Sequence, residues 1–265
     1  MRQGIAAALA IVILGAAAVS GQAPKNDPQA AEQLRAAYGR LAGLKSYRVQ
    51  MTMASGAQAG SHSTDNLAMI MEVVAPDRFR TTAESDEFAM ENIIVAGEVR
   101  YRLTKLKEQA VQPGGGMGPF AFLSMALSFA LNPAGAAIGA ASMAASSMAG
   151  PAAGMPPIGV WQCPPKMGGG APQAPAGKTG EEPAVSRLDD ATIDGVPTQV
   201  FLATQPGRGQ GASLGNKTRI YVLKDGGLPR RVEMLDASDK PAMIADYRDY
   251  DAPITIQLPP CGQKT

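Results

Sequence analysis

Histidine is almost missing from this chain of 265 residues: His62, in the run S-G-A-Q-A-G-S-H-S-T-D, is the only one. No G-x-S-x-G elbow and no H-E-x-x-H pair occurs either, so the ordinary hydrolase and metalloprotease layouts are excluded. Cysteine is nearly as scarce. Cys163 in W-Q-C-P-P and Cys261 in L-P-P-C-G are the only two, and with the single histidine in a distant loop they cannot build a zinc site. An excess of charge is lacking as well: 24 basic against 23 acidic residues leave a formal net charge of +1. Loss of an N-terminal segment carrying Arg2 would leave the chain close to neutral. A chain so balanced lacks the clustered basic face that nucleic acid requires. Carboxylates do gather once, in A-D-Y-R-D-Y-D. Strand alternation predicts Asp246 on one face and Asp249 and Asp251 on the other, which reads as an exposed strand end with Arg248 rather than a paired-carboxylate site. No catalytic residue, metal or cofactor is therefore expected.

What is present is a train of short alternating strands. In M-I-M-E-V-V-A-P-D-R-F-R, Met69, Met71 and Val73 share a face, Pro76 and Asp77 supply a turn, and Phe79 and Thr81 continue on a second strand. In I-I-V-A-G-E-V-R-Y-R-L, Gly97 takes the turn, after which Val99, Tyr101 and Leu103 alternate with Arg100 and Arg102. Further turns are expected at Asp194 and Gly195, across residues 224–227, and within residues 236–240. Ahead of the train, Asp27 is placed to cap a helix with Pro28 at its first position, running to Leu44 with Leu34, Tyr38 and Leu41 on one stripe and Gly43 as a stop. Tyr47, Val49, Met51 and Met53 then open the first strand, with Arg48, Gln50 and Thr52 on its other face. A large antiparallel sheet with one covered face follows, the interspersed charges forming its solvated face.

Two segments stand apart. Residues 5–19 are apolar, follow Arg2, precede small residues and are shorter than the roughly 20 residues a membrane span needs, so residues 1–23 read as an export signal with the exact cleavage site open. No cysteine follows the apolar run, which excludes a lipoprotein box. Residues 111–183 form a Gly/Ala/Met/Pro-rich insert. Within it residues 120–131 are apolar on nearly every side, and a helix of that kind must be buried or meet lipid. Phe120, Phe122, Leu123, Leu127 and Phe129 are accordingly expected in a lid over the sheet, a disordered low-complexity loop being the other reading. In an exported protein a lone cysteine pair reads as a disulfide, here Cys163 with Cys261. The long loop it would close is worth about 4 to 5 kcal/mol in the chain-entropy model before native strain.

The succession V-V-A-P-D-R-F-R, I-I-V-A-G-E-V-R-Y-R-L, A-T-I-D-G-V-P-T-Q-V-F-L-A-T, T-R-I-Y-V-L-K-D-G-G-L-P-R-R-V-E-M-L-D and I-A-D-Y-R-D-Y-D-A-P-I-T-I resembles the periplasmic lipoprotein-carrier superfamily. That group holds the LolA-type lipoprotein chaperones, the mycobacterial lipid-carrying lipoproteins and RseB-type sensor domains. The resemblance covers residues 47–103 and 188–258. It implies a mainly β (α+β) fold: an incomplete antiparallel barrel curled around an apolar cavity, closed by helices, in one domain over residues 24–265. Function by this resemblance is non-enzymatic carriage or binding of a lipid, or of the acyl groups of a lipoprotein, in the periplasm or outside the cell. Val49, Met51, Met53, Met69, Met71, Val73, Val200, Leu202, Ile220, Val222, Val232 and Met234 are the strand residues expected to face the ligand, ordinary core packing being the other reading of such stripes. Two further classes stay open: a sensor module that binds another envelope protein, and a structural or membrane-contact protein of the envelope.

Overall fold

The computed structural model describes residues 26–53, 67–106, 157–163, 183–204 and 217–263. The expected export signal, His62, and Phe120, Phe122, Leu123, Leu127 and Phe129 of the expected lid lie outside these residues.

Helix α1 spans Pro28–Ala42, with Asp27 Oδ1 accepting from the backbone N–H groups of Gln29 and Ala30. This satisfies two of the donors that a helix start leaves open, and Pro28 costs nothing at a position without an intrahelical partner. The helix ends at Ala42 with Gly43, the expected stop, as its C-terminal cap at a right-handed φ of −83°, so that Leu44 lies outside the helix. Its buried stripe is Ala30, Leu34, Ala37 and Leu41, with Tyr38 packed beside it.

Among the described residues ten strands follow: β1 Ser46–Met53, β2 Ala68–Val74, β3 Arg78–Glu84, β4 Phe88–Val95, β5 Glu98–Leu106, β6 Ala184–Ile193, β7 Val196–Thr204, β8 Lys217–Leu223, β9 Pro229–Leu235 and β10 Pro241–Arg248. They form one sheet in the order β5-β4-β3-β2-β1-β10-β9-β8-β7-β6, every pair antiparallel. Each half is a meander of neighbours in sequence, and the halves meet where β1 pairs with β10. The sheet is not closed, and its two edges, β5 and β6, are the strands that the long insert joins. This is the mainly β, incomplete-barrel architecture expected from the strand succession.

The turns follow local chemistry. Ala96 with Gly97, and Asp194 with Gly195, hold φ near +50° and +80° in two-residue hairpins. These are type I′ geometries whose twist matches that of the flanking strands. Asp236 Oδ1 accepts from the N–H groups of Ser238 and Lys240 and so organises the β9–β10 turn. At β5 the edge is covered. Tyr101 and Gln162 exchange backbone hydrogen bonds, Gly159 N–H donates to Leu103, and residue 161 pairs in turn with 262 and 263. The Cys163–Cys261 disulfide, closing a separation of 98 residues, clamps this edge piece to the C-terminal tail.

The sequence suggested one covered face, and the structure covers parts of both. Ile254, Ile256 and Leu258 of the tail, with Trp161, pack against Val74, Ile93 and Val95 on the side away from α1. The alternation expected in A-D-Y-R-D-Y-D also fails at its end. The strand stops at Arg248, and Asp249 and Asp251 take positive φ of 55° and 54°. Asp249 thereby turns to Arg48, on the same face on which Asp246 binds Arg231.

Candidate functional site: an apolar inner face

Register determines which side chains share the face that carries α1. One row of directly paired residues crosses nine strands: Leu103, Met90, Ala83, Met69, Met51, Ala245, Val232, Ile220 and Phe201. All are buried. A second row holds Asn92, Thr81, Met71, Val49 and Tyr247, and a third Val99, Ile94, Phe79, Val73 and Tyr47. Buried methionines on this wall come from five strands: Met51, Met69, Met71, Met90, Met234 and Met243. Such unbranched thioethers repack around irregular apolar shapes more readily than branched side chains do.

Of the residues expected to face a ligand, Val49, Met51, Met53, Met69, Met71, Val73, Ile220, Val222, Val232 and Met234 lie on this inner face. Val200 and Leu202 do not: they pair with Tyr221 and Arg219 on the outer face, and Phe201 between them points inward. Val-Phe-Leu is apolar at every position, so its period-2 phase cannot be read locally; pairing with Ile220 sets it. The sequence reading also passed over Met90, Met243 and Ala245, which the same alternation would have found once β4 and β10 were placed beside their partners.

Helix α1 packs over β6 and β9, and its C-terminal end is tied down by Arg40, whose Nη1 donates to the Gly227 carbonyl at 3.4 Å. Under it sits a group of tyrosines. Tyr47 and Tyr247 stack with ring centroids 6.4 Å apart, and Tyr250 donates its hydroxyl to the Pro229 and Tyr247 carbonyls. Burial holds the hydroxyls of Tyr38, Tyr47, Tyr247 and Tyr250 above their ordinary range, Tyr247 most strongly. A low-dielectric wall raises the cost of a phenolate in this way.

The outer face is polar and internally paired. Glu91 accepts from Arg80 Nε at 2.8 Å and from Arg102 Nη2 at 2.8 Å, and Arg48 binds Glu72 and Asp249. Arg102 in addition lies over the Trp161 ring, 4.7 Å from its centroid. Across the sheet, Glu233 takes Arg219 and the Tyr221 hydroxyl, and Arg231 grips Asp246 through two bonds. An open cleft of about 480 Å³ lies on this face, lined by Arg48, Ile70, Glu72, Arg80, Thr82, Arg248 and Asp249. Its charged walls suit an acyl chain poorly. Among the described residues no group of three or more His, Cys, Asp or Glu is placed to hold a metal ion.

No protein-family model matches the chain, and no curated protein is similar to it. Solved structures are. The lipoprotein LppX of Mycobacterium tuberculosis shares 14% identity over 87% of this chain and 100% of its own, with a TM-score of 0.46. LprF of Mycobacterium bovis shares 12% over 90% and 100%, with a TM-score of 0.44. A putative outer membrane lipoprotein-sorting protein domain of Vibrio parahaemolyticus shares 10% over 86% and 94%, with a TM-score of 0.32. These are the kinds of protein that the strand succession resembles.

Proposed function

We propose that the protein is a non-enzymatic, exported carrier or binding protein for a lipid, or for the acyl moiety of a lipoprotein, in the bacterial envelope. The observation that carries this reading is the inner face of the open sheet, where the paired rows from β5 to β7 form a largely apolar wall rich in methionine that ends at β6 in Arg187, ion-paired to Asp190. Val49, Met51, Met53, Met69, Met71, Val73, Ile220, Val222, Val232 and Met234 supply the ligand-facing surface. Transfer of an acyl chain onto it would be driven by apolar burial, about 25 cal/mol for each Å² removed from water. Methionines would let one wall accept chains of different shape. Native mass spectrometry of protein purified from its own envelope, followed by organic extraction, tests the proposal. An acyl-bearing species bound to the folded protein is expected. Protein that is empty as isolated and that binds no fluorescent fatty acid sinks it.

A second reading has its own support at the other edge of the sheet. The β6 edge is engaged at Val185 by Asn26 and Asp27, while Arg187, Leu188, Asp189 and Asp190 beyond it are exposed. An exposed edge of this kind can accept a strand from another chain. Co-purification of one envelope protein without extractable lipid would favour a sensor or regulatory module instead.

A further inference from the structure

Thr81 on β3 and Asn92 on β4 are direct cross-strand partners on the inner face, 2% and 4% exposed. Neither Thr81 Oγ1 nor Asn92 Oδ1 has a hydrogen-bond partner, although the two side chains are neighbours. Tyr101 stands opposite Asn92 on β5 without bonding its Oδ1, and the remaining neighbours are apolar. Met71 stands opposite Thr81 on β2, Phe79 and Ala83 flank Thr81 along its strand, Met90 and Ile94 flank Asn92, and all five belong to the apolar core.

The other fully buried polar residues behave differently. Thr198, at 0% exposure, donates to the Ala191 carbonyl at 2.9 Å. Ser46, Ser85, Glu91 and Glu233 are bonded too. A buried group without a partner forfeits its hydration and gains nothing in return, so valine and leucine would stabilise these two positions better if packing were their only task.

We infer that Thr81 and Asn92 form a polar anchor, within the apolar wall, for a hydroxyl group borne on the acyl part of the ligand. This rests on the carrier reading and adds the ligand class. A hydroxyl is the group that fits, because it donates to Asn92 Oδ1 while accepting from the Thr81 hydroxyl, and it still fits if the Asn92 amide is turned over. A carbonyl would leave the Asn92 oxygen unpaired, and a methylene would leave both groups so.

The test uses the full mature chain, stripped of lipid, with stearic acid and a hydroxystearic acid bearing its hydroxyl mid-chain as competitors of a fluorescent fatty acid. Wild-type protein is expected to prefer the hydroxylated acid about tenfold, which corresponds to about 1.4 kcal/mol. The Thr81→Val/Asn92→Leu variant is expected to bind both acids alike and, without ligand, to unfold at a higher temperature than wild type. Equal binding of the two acids by wild type, or a preference that survives in the variant, overturns the anchor while leaving the carrier reading intact. If wild type binds neither acid, the carrier reading falls and the anchor with it. Should the double variant fail to fold, the near-isosteric Thr81→Val alone must already reduce the preference, and an unchanged preference overturns the anchor.

Discussion

Ala96 holds a φ of +49° in the two-residue turn between β4 and β5, a region where its Cβ crowds the following carbonyl oxygen. The corresponding position of the β6–β7 hairpin carries Asp194, whose short polar side chain tolerates that geometry. Ala96→Asn, which creates the Asn-Gly pair that type I′ turns favour, should therefore stabilise the protein by about 1 kcal/mol. Urea denaturation measures it, and a loss of stability would show that the turn is held by something other than local preference. Glu91 is the opposite case. Interspersed charges on the strands suggested a solvated face, yet the Glu91 carboxylate is only 8% exposed and serves both Arg80 and Arg102. Breaking a fully buried pair costs about 3–5 kcal/mol. Because the two arginines keep 43% and 21% exposure, Glu91→Ala should cost about 2–3 kcal/mol, read from the denaturation midpoint. The alternation of charge was legible residue by residue; the burial of one member was not, because it depends on strands on either side.

The element whose role the sequence least disclosed is the C-terminal tail. Its isoleucines and Trp161 cover Ile93 on the outer face, and residues 157–163 protect the β5 edge. The Cys163–Cys261 disulfide joins the two. Trp161 is the only tryptophan in the chain and is 4% exposed, so its fluorescence reports on this element alone. Reduction, or Cys163→Ser with Cys261→Ser, should shift Trp161 emission to the red while the far-ultraviolet circular dichroism of the sheet persists. Non-reducing peptide mapping should recover W-Q-C-P-P joined to L-P-P-C-G. An unshifted emission would mean that Trp161 and Ile256 hold the tail without the bridge. The cysteine pairing was legible because two thiols in a chain whose N-terminus reads as an export signal leave few alternatives, whereas the tail's docking site on β2 and β4 is set by residues more than a hundred positions away.

At the scale of the whole molecule, burial raises the hydroxyls of all six tyrosines. Unfolding returns them to values near 10, so the unfolded chain ionises first as pH rises. Their contribution is complete below about pH 10 and is lost above it as the pH climbs toward the folded values. The melting temperature should thus be insensitive to these groups at neutral pH and fall above about pH 10, with phenolate absorbance appearing together with unfolding. Phenolate absorbance that develops while the fold persists would contradict the burial of this cluster. Much of the architecture was written locally. The Asp27 cap, the two-residue turns, the Asp236 turn and the alternation of β1, β2 and β5 need only neighbours a few positions away, and the chain specifies them unaided. Other features belong to pairing between distant strands: the meeting of β1 with β10, the inward turn of Phe201 in place of Val200 and Leu202, the covering of the outer face by the tail, and the burial of Thr81 and Asn92 in the inner wall. An apolar run has no intrinsic phase, and a threonine or asparagine has no intrinsic burial. Both are decided only when strands from opposite ends of the chain lie side by side.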